Sequence, residues 1–312
     1  MANISKSTWH DFAAITLESE LLRAVIVPDL GAKIVSLYDK RHGREWLVAP
    51  MRSVMQTSYG ADFVSQDMSG WDEMLPTIVA CSWDGVQLPD HGEVWSIPWK
   101  LESMEEAVLL SVVGVAMSYC LSRAAALIAP NCLELRYTLT NTGQIAVPYL
   151  WAAHPQFAAD ENTRIILPPE VESVVNVIDG DPVWGKAGGV SGWPEAASAD
   201  GRRWRLDRIA SALNHTCRKF YIPPDQPVSW AALVDENLGC RLRLDWSSSA
   251  APYLGLWVDE GMYNSAPVAA LEPSNGYYDS LETAIRNKRV AVLDVRKAQS
   301  WSIRIETKGQ TT

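Results

Sequence analysis

Short stretches in which apolar and polar residues alternate, separated by turn-forming residues about every ten positions, recur along most of this chain. The clearest is NCLELRYTLTNTG, residues 131–143, where the apolar side chains fall on every second position and an Asn-Thr-Gly turn follows. Its inward-facing residues are predicted to be Leu133, Leu135, Tyr137 and Leu139. A period of two is that of a strand with one buried face, so the pattern predicts many short antiparallel strands.

Helical periodicity is scarce, and its best candidates are short segments such as residues 204–213. There is no alternation of strands with helices and no glycine-rich phosphate loop. Residues 289–309, RVAVLDVRKAQSWSIRIETKG, predict a closing hairpin, whereas residues 179–200 are rich in Gly, Pro and small residues and predict a long surface insertion. Because strand patterns resume after that insertion, we expect one all-β, sandwich-like domain over residues 1–312.

Composition and charge limit the partners of the chain. With 47% hydrophobic and 21% charged residues, 312 residues are enough to bury a sizeable core. A net charge of −10, from 27 Lys and Arg against 37 Asp and Glu, argues against a nucleic acid partner. No stretch reaches the roughly 18 apolar residues of a membrane span. Asp11, Glu18 and Glu20 interrupt the apolar core that a secretory signal needs, so we expect a soluble, cytoplasmic protein that does not bind membranes.

Two of the five histidines stand out by their surroundings. His154 follows an apolar run in YLWAAHPQF and precedes a proline, which favours an extended backbone. It is either a core histidine with a hydrogen-bond partner or a group that transfers a proton. His91 lies in the turn PDHGEVW and either caps backbone groups with Asp90 or lies beside a carboxylate at the mouth of a site.

Carboxylates near apolar strands form the second set of candidates. Glu272 ends the apolar strand PVAALEPSNG, where burial would raise its pKa and make it a base near neutral pH, or where it anchors the following turn. Asp72 and Glu73 lie beside Trp71 in SGWDEMLPTI, which is either a loop or part of a polyol site. No His, Cys, Asp or Glu spacing is typical of a metal site, and no cofactor is expected.

Five segments, in this order along the chain, together resemble the aldose 1-epimerase (galactose mutarotase-like) family. They are LGAKIVSLYDKRHGREWL, GWDEMLPT, PDHGEVW, NTGQIAVPYLWAAHPQF and ALEPSNGYYDSL, and they extend over nearly the whole chain. The resemblance implies a large antiparallel β-supersandwich and the interconversion of α and β anomers of a free sugar. It implies that His154 is the general acid on the ring oxygen, that Glu272 is the base on the anomeric hydroxyl, and that His91 helps to hold the substrate.

The resemblance also implies a monosaccharide substrate, with aromatic rings against its C–H face and polar groups at its hydroxyls. The candidates for these contacts are Trp71, Trp95, Trp151, Asp72, Glu73, Asp90 and Glu93. The galactose-specific members have an Asn-Arg pair before the His-Gly turn, but residues 55–73 contain no counterpart. A sugar-binding aspartate is likewise not evident in residues 214–227, so the sugar is not identified.

Two other functions fit parts of the same pattern. A carbohydrate-binding protein without turnover would retain the site and lose the sugar contacts needed for catalysis. A glycoside hydrolase or lyase would need two carboxylates at a set separation, such as Glu272 with Asp72 or Glu73. The sequence leaves the oligomeric state open.

Overall fold

The computed structural model describes residues 2–180, 183–198 and 200–309, and the regular secondary structure of these residues is almost entirely strand. The larger sheet has 13 strands in these residues. In chain order they are β1 Asn3–Trp9, β2 Phe12–Glu18, β3 Leu22–Val27, β4 Lys33–Asp39, β5 Arg44–Glu45, β6 Trp71–Met74, β14 Ala152–Pro155, β15 Phe157–Ala158, β17 Ser173–Asn176, β18 Val190–Gly192, β21 Thr216–Tyr221, β24 Tyr253–Glu260 and β25 Val268–Ser274. They follow each other in space as β1, β2, β3, β4, β6, β14, β25, β24, β21, β17 and β18, with β5 beside β4 and β15 beside β25.

The second sheet of the described residues has eight strands, β9 Lys100–Ser103, β10 Val108–Val113, β11 Tyr119–Ala129, β12 Cys132–Asn141, β16 Thr163–Ile166, β22 Trp230–Asp235, β23 Cys240–Trp246 and β27 Ala298–Gly309. Their spatial order is β16, β22, β23, β27, β12, β11, β10 and β9. The remaining described strands are β7 Cys81–Trp83, β8 Val86–Leu88, β13 Val147–Tyr149, β19 Glu195–Ala197, β20 Arg203–Arg205 and β26 Ala291–Leu293. They form two-stranded ribbons that pair β7 with β8, β13 with β26, and β19 with β20.

Helices contribute little to the part of the chain that the structure describes. The single α-helix there, α1, covers Leu281–Arg286 and begins at Ser280, whose Oγ accepts a hydrogen bond from the backbone N–H of Thr283. Within the described ranges, four 3₁₀ helices cover Pro28–Leu30, Phe63–Ser65, Val94–Ser96 and Ala212–Asn214. The prediction of an all-β chain of antiparallel strands is confirmed.

One cluster of buried apolar side chains joins the two large sheets. Leu22 and Leu37 contribute to it from the 13-stranded sheet, and Leu121, Leu135 and Ile303 contribute from the eight-stranded sheet. Burial of apolar surface between two sheets is the main stabilising term of such an architecture. The strand predicted over residues 131–143 is present as β12, and its four predicted inward-facing residues are buried.

Two local predictions were wrong. Residues 204–213 do not form a helix, because Arg203–Arg205 is a strand that pairs with Glu195–Ala197, and a 3₁₀ helix begins only at Ala212. Residues 289–309 do not form a hairpin, because β26 pairs with β13 whereas β27 lies between β12 and β23 in the eight-stranded sheet. In both cases a strand outside the predicted segment provides the partner.

The expected insertion at residues 179–200 is only partly described, since positions 181, 182 and 199 lie outside the described residues. Its described part contains two short strands. Val190–Gly192 extends the edge of the large sheet by pairing with β17, and Glu195–Ala197 forms the ribbon with β20. No disulfide joins any of the five cysteines, all of which lie within the described residues.

Candidate functional site

Two neighbouring strands near the middle of the large sheet bring His154 and Glu272 together. In the antiparallel pair of β14 and β25, Ala152 lies opposite Ser274. His154 is two residues after Ala152, and Glu272 is two residues before Ser274. Because side chains return to the same face every second residue and the strands are antiparallel, His154 and Glu272 are cross-strand neighbours on one face. The Nε2 atom of His154 lies 3.8 Å from Oε1 of Glu272, and both side chains are buried. An acid and a base are therefore held side by side on one face of the sheet.

His91 reaches the same place from a loop. The loop is fastened to the sheet region by a parallel bridge between Leu75 and Gly92, and His91 itself has a left-handed backbone with φ of 58°. The Nδ1 atom of His91 lies 2.7 Å from a carboxylate oxygen of Asp90. Its ring stacks on Phe63 with 3.9 Å between the ring centroids, and the centroid of the His154 ring is 5.2 Å away. The three residues for which the resemblance implies catalytic roles are thus brought together.

Glu272 has an ion-pair partner that the sequence did not indicate. Nζ of Lys219, on β21, lies 3.0 Å from Oε2 of Glu272 and 3.1 Å from Oδ1 of Asp279. The Tyr221 hydroxyl donates a hydrogen bond of 3.0 Å to the same oxygen of Asp279. Lys219 therefore binds Oε2 of Glu272, whereas Oε1 is the oxygen that is near His154.

Gly255 lies directly opposite Glu272 on the adjacent strand β24. A Cβ atom at this position would be 3.0 Å from Oε2 of Glu272 and 3.2 Å from the ring of Tyr221. Such distances are shorter than ordinary van der Waals contacts between carbon atoms. The Glu272 carboxylate thus occupies space that only a glycine on the neighbouring strand leaves free.

Burial shifts the protonation of both central groups. The pKa of His154 lies well below its ordinary value of 6.5, first because burial disfavours the imidazolium and then because His91, Lys219 and Lys33 add positive charge. The pKa of Glu272 is raised, first by burial and further by Asp279, whereas Lys219 and His91 lower it. The imidazole of His154 is therefore neutral at pH 7, and the carboxylate of Glu272 is a stronger base than an exposed one.

These groups line a cavity of about 230 Å³. One side of it is polar and the rest is apolar or aromatic, which is the usual make-up of a small-molecule site. The polar residues of the lining are His91, His154, Lys219, Glu272 and Asp279, and the apolar and aromatic ones are Phe63, Val64, Met68, Ile78, Val79, Trp257 and Tyr263. A separate cavity of about 260 Å³ near Trp184 and Trp204 contains none of the candidate site residues.

The structure brings the predicted contact residues to the cavity only in part. Asp90 is at its edge as the partner of His91. Trp95 packs edge-on against Phe63, with 5.0 Å between ring centroids, and so lies behind the cavity wall. Asp72 is fully buried opposite His154 in the pair of β6 and β14 and does not line the cavity.

Four other candidates belong to the interior instead. Glu73 accepts hydrogen bonds from Arg123 (2.9 Å), from Tyr137 (2.8 Å) and from the indole N–H of Trp151 (3.0 Å), and all four side chains are buried. Trp71 is buried and packs edge-on against Phe157. Glu93 accepts hydrogen bonds from Tyr119 and from the backbone N–H groups of residues 115 and 116. None of the four lines the cavity, so none is retained in the candidate site.

Sequence reasoning missed Lys219, Asp279 and the aromatic residues Phe63, Trp257 and Tyr263. Lys219 follows an arginine on a short strand, a pattern typical of a solvent-facing position, and nothing local indicates its burial. Asp279 lies in the YYDS segment directly after the Glu272 motif, so its proximity to that motif was a usable signal.

No three His, Cys, Asp or Glu side chains converge in a way that could hold a metal ion within residues 2–180, 183–198 and 200–309. Across these same ranges, no helix has the length and apolar character needed to cross a membrane.

Solved structures of galactose mutarotase-like proteins resemble this chain over its whole length. A galactose mutarotase-like protein from Lactobacillus casei is 18% identical, with a TM-score of 0.69 over 95% of this chain and 100% of that one. A galactose mutarotase related enzyme from Lactobacillus acidophilus is 15% identical, with a TM-score of 0.67 over 96% of this chain and 98% of that one. A galactose mutarotase-like protein from Clostridium acetobutylicum is 15% identical, with a TM-score of 0.67 over 99% of each chain.

These likenesses establish the fold. The chain has the galactose mutarotase-like fold, which confirms the β-supersandwich expected from the five sequence segments. No protein-family model matches the sequence, and no curated protein matches it.

Proposed function

We propose that this protein is an aldose 1-epimerase-type enzyme that interconverts the α and β anomers of a free sugar. The observation that carries the proposal is the 3.8 Å separation between Nε2 of His154 and Oε1 of Glu272 at a cavity with apolar walls. Opening a cyclic hemiacetal requires a base at the anomeric hydroxyl and an acid at the ring oxygen of the same sugar. Two groups this close can serve one sugar ring from one side.

Glu272 is the proposed base. Its pKa is raised by burial, which makes it a better proton acceptor, while the Lys219 ammonium on Oε2 favours the ionised form that a base needs. Oε1 is the atom that takes the proton from the anomeric hydroxyl. The open-chain aldehyde then rotates about its bond to C2 and closes on either face.

His154 is the proposed acid, and His91 is proposed to hold the ring oxygen beside it. A neutral imidazole donates from Nε2 and is suited to an oxygen that gains negative charge. The contact between His91 and Asp90 directs the opposite side of the His91 ring into the cavity. Phe63 fixes the plane of the His91 ring by stacking on it.

We propose a neutral, unphosphorylated monosaccharide as the substrate. Among the described residues that line the cavity, the charged groups are the Lys219 ammonium and the carboxyl groups of Glu272 and Asp279 that it contacts, so none of these residues offers an unpaired cation to a phosphate. The volume of about 230 Å³ is below the roughly 300–1,000 Å³ of clefts for drug-sized ligands, which favours one sugar ring over a polymer. Trp257 and Tyr263 provide aromatic surface for its C–H groups.

Polarimetry and saturation-transfer NMR of the anomeric protons, on a panel of aldoses, test the proposal. We expect the wild-type protein to accelerate anomer exchange and expect His154→Ala and Glu272→Ala each to lose about 10²- to 10⁴-fold in kcat. His10→Ala and Glu105→Ala, at exposed positions outside the site, are matched controls and should retain the wild-type rate.

Two outcomes would overturn the proposal. One is the absence of acceleration on every aldose tested, and the other is acceleration that both site variants retain. If calorimetry detects binding of a sugar but anomer exchange is not accelerated, the result favours the alternative function, that of a carbohydrate-binding protein with the same fold.

A further inference from the structure

A row of polar side chains continues from the site into the large sheet. Asp72 lies directly opposite His154 in the antiparallel pair of β6 and β14. On the other side of β6, Ile34 lies opposite Trp71, so the next residue pair along these two strands is Lys33 and Asp72. Opposite residues share a face of the sheet, so Lys33, Asp72 and His154 form one cross-strand row, of which His154 lines the cavity.

Two members of this row, Asp72 and His154, have buried polar atoms without a hydrogen bond. Apart from the 3.4 Å ion-pair contact of Lys33 with Oδ2, neither carboxyl oxygen of Asp72 has a hydrogen-bond partner among the described residues, and Nδ1 of His154 has none there either. The two residues are 0% and 5% exposed. Buried polar atoms are rarely left unpaired in native proteins. Directly opposite residues have Cβ atoms about 4.5–5.5 Å apart, so these side chains can meet directly or through one bridging water.

Lys33 is bound mainly by Asp67, so the carboxyl group of Asp72 can still interact with another partner. Nζ of Lys33 donates to both carboxylate oxygens of Asp67 at 2.9 and 2.8 Å, whereas Oδ2 of Asp72 is 3.4 Å away. Burial raises the pKa of Asp72 to about 7; Lys33 lowers it, and the charges of Asp67 and Glu73 raise it. Asp72 therefore carries a proton through the acidic range and releases it near neutrality.

A neutral imidazole is a weak acid when it acts alone. Loss of its Nε2 proton would leave an imidazolate, which a buried site does not stabilise. A donor at Nδ1 removes this difficulty, because the ring then gains one proton as it gives up another and stays neutral. Asp72 is the group in the row that is placed to act as this donor.

We propose that Asp72 is the proton partner of His154. As Nε2 of His154 gives its proton to the ring oxygen of the sugar, the Asp72 carboxyl gives a proton to Nδ1 and becomes a carboxylate. When the open-chain sugar closes again, Nε2 takes the proton back from the ring hydroxyl and Nδ1 returns its proton to Asp72. Asp72 acts through His154 and is a positioning residue, and this role rests on the proposed function.

The charged groups around Asp72 and His154 shift the pKa values on which the pH dependence of the pair rests. The groups near His154 are His91 from its loop, Lys219 from β21, Lys33 from β4 and Glu272 from β25, and those near Asp72 are Lys33, Asp67 and Glu73. The protonated form of Asp72 is the active one in this mechanism. The rate should therefore fall as the pH rises through the Asp72 pKa, and the fall of kcat reports that pKa in the substrate complex.

Asp72→Asn keeps the size of the side chain and its ability to donate a hydrogen bond, but it cannot release a proton. We expect kcat at pH 6 to fall at least tenfold with KM unchanged, and the fall of kcat near neutral pH to disappear. Asp67→Asn is the matched control, because it removes the other carboxylate beside Lys33 without touching His154. It should keep the fall of kcat but move it to lower pH, because loss of the Asp67 charge lowers the Asp72 pKa.

Wild-type kcat and an unchanged pH profile in Asp72→Asn would overturn the proposal. So would equal loss of rate in both variants with one common pH profile, since that result describes a structural role only. These kcat measurements require an active enzyme. A second measurement does not require activity.

The second readout is the ¹⁵N chemical shift of the His154 ring, assigned with a His154→Gln variant. We expect the Nδ1 signal of the wild-type protein to follow the titration of Asp72 near neutral pH and this change to be absent in Asp72→Asn. An Nδ1 signal that ignores this titration would overturn the pairing. If the signal follows the titration but no aldose is turned over, the proposed function fails while the pairing holds.

Discussion

The Nε2 atom of His154 and the Oε1 atom of Glu272 lie 3.8 Å apart on adjacent strands of the large sheet, and both side chains are buried. The separation is too long for a good hydrogen bond, so neither group is neutralised by the other. Lys219 contacts Glu272 on its other oxygen, and Asp72 lies on the far side of His154. The acid and the base thus each have a supporting group, and the space between them and His91 belongs to the cavity.

Gly255→Ala should reduce activity more than stability. The added methyl group would lie 3.0 Å from Oε2 of Glu272 and would force that side chain away from its position. We expect kcat to fall at least tenfold, with a loss of about 1–3 kcal/mol in the free energy of unfolding from overpacking. Rate measurements on the folded protein and urea denaturation separate the two effects. A variant with normal kcat would show that the orientation of Glu272 is not critical.

Lys219→Met should shift the acid side of the pH profile upward. Lys219 lowers the pKa of Glu272, and an opposite charge within about 4–6 Å typically lowers a carboxyl pKa by about 1–3 pH units. Without it the Glu272 pKa rises, and the ionised base is present only at higher pH. The pH dependence of kcat/KM measures this shift, with Lys6→Met at an exposed position as the control. An unchanged acid limb would contradict the coupling of Lys219 to the base.

Glu73→Ala should lower stability rather than substrate affinity. Glu73 forms a buried ion pair with Arg123 and accepts hydrogen bonds from Tyr137 and Trp151, and removal of one partner of a buried pair costs about 3–5 kcal/mol. Urea denaturation measures this loss. The folded fraction should bind sugar with wild-type KM. A raised KM at normal stability would return Glu73 to the set of sugar contacts.

His154→Gln should become relatively more stable than the wild type as the pH falls. The pKa of His154 in the folded protein is well below 6.5, so the unfolded chain binds more protons than the folded one below that pH. Stability from this group is complete above pH 6.5 and is lost as the pH falls toward the folded-state pKa. The difference in unfolding free energy should therefore change in favour of the variant by up to about 1.4 kcal/mol per pH unit. Denaturation at pH 7, 6 and 5 tests it, and a pH-independent difference would contradict the low pKa.

The strands were predictable where one face of a sheet is buried. In β12 the alternation of apolar and polar residues indicates directly which side chains face the core, and all four predicted inward residues are buried. The hairpin expected at residues 289–309 was wrong because the pattern marks a strand but not its partner. Pairing of β27 with β12 and β23 depends on residues far away in the chain.

The same limit applies to the WDEM segment of β6. Trp71, Asp72 and Glu73 are adjacent in sequence and suggested one acidic and aromatic cluster. Successive side chains of a strand point to opposite faces, so Asp72 shares the sheet face of His154, whereas Trp71 and Glu73 point to the other face and lie in the interior. Residues that are adjacent in this strand are therefore directed to different sides of the sheet.

Sequence alone determined the strand-rich class of this protein, through a period-two pattern, and the identity of His91, His154 and Glu272 as candidates, through motifs whose order resembles a known family. Only the tertiary structure decided that these three meet at one cavity, that Lys219 contacts Glu272, and that Asp72 lies opposite His154 on the adjacent strand. The physical reason is that strand register and burial set distances and pKa values, and both depend on residues that are distant in the chain.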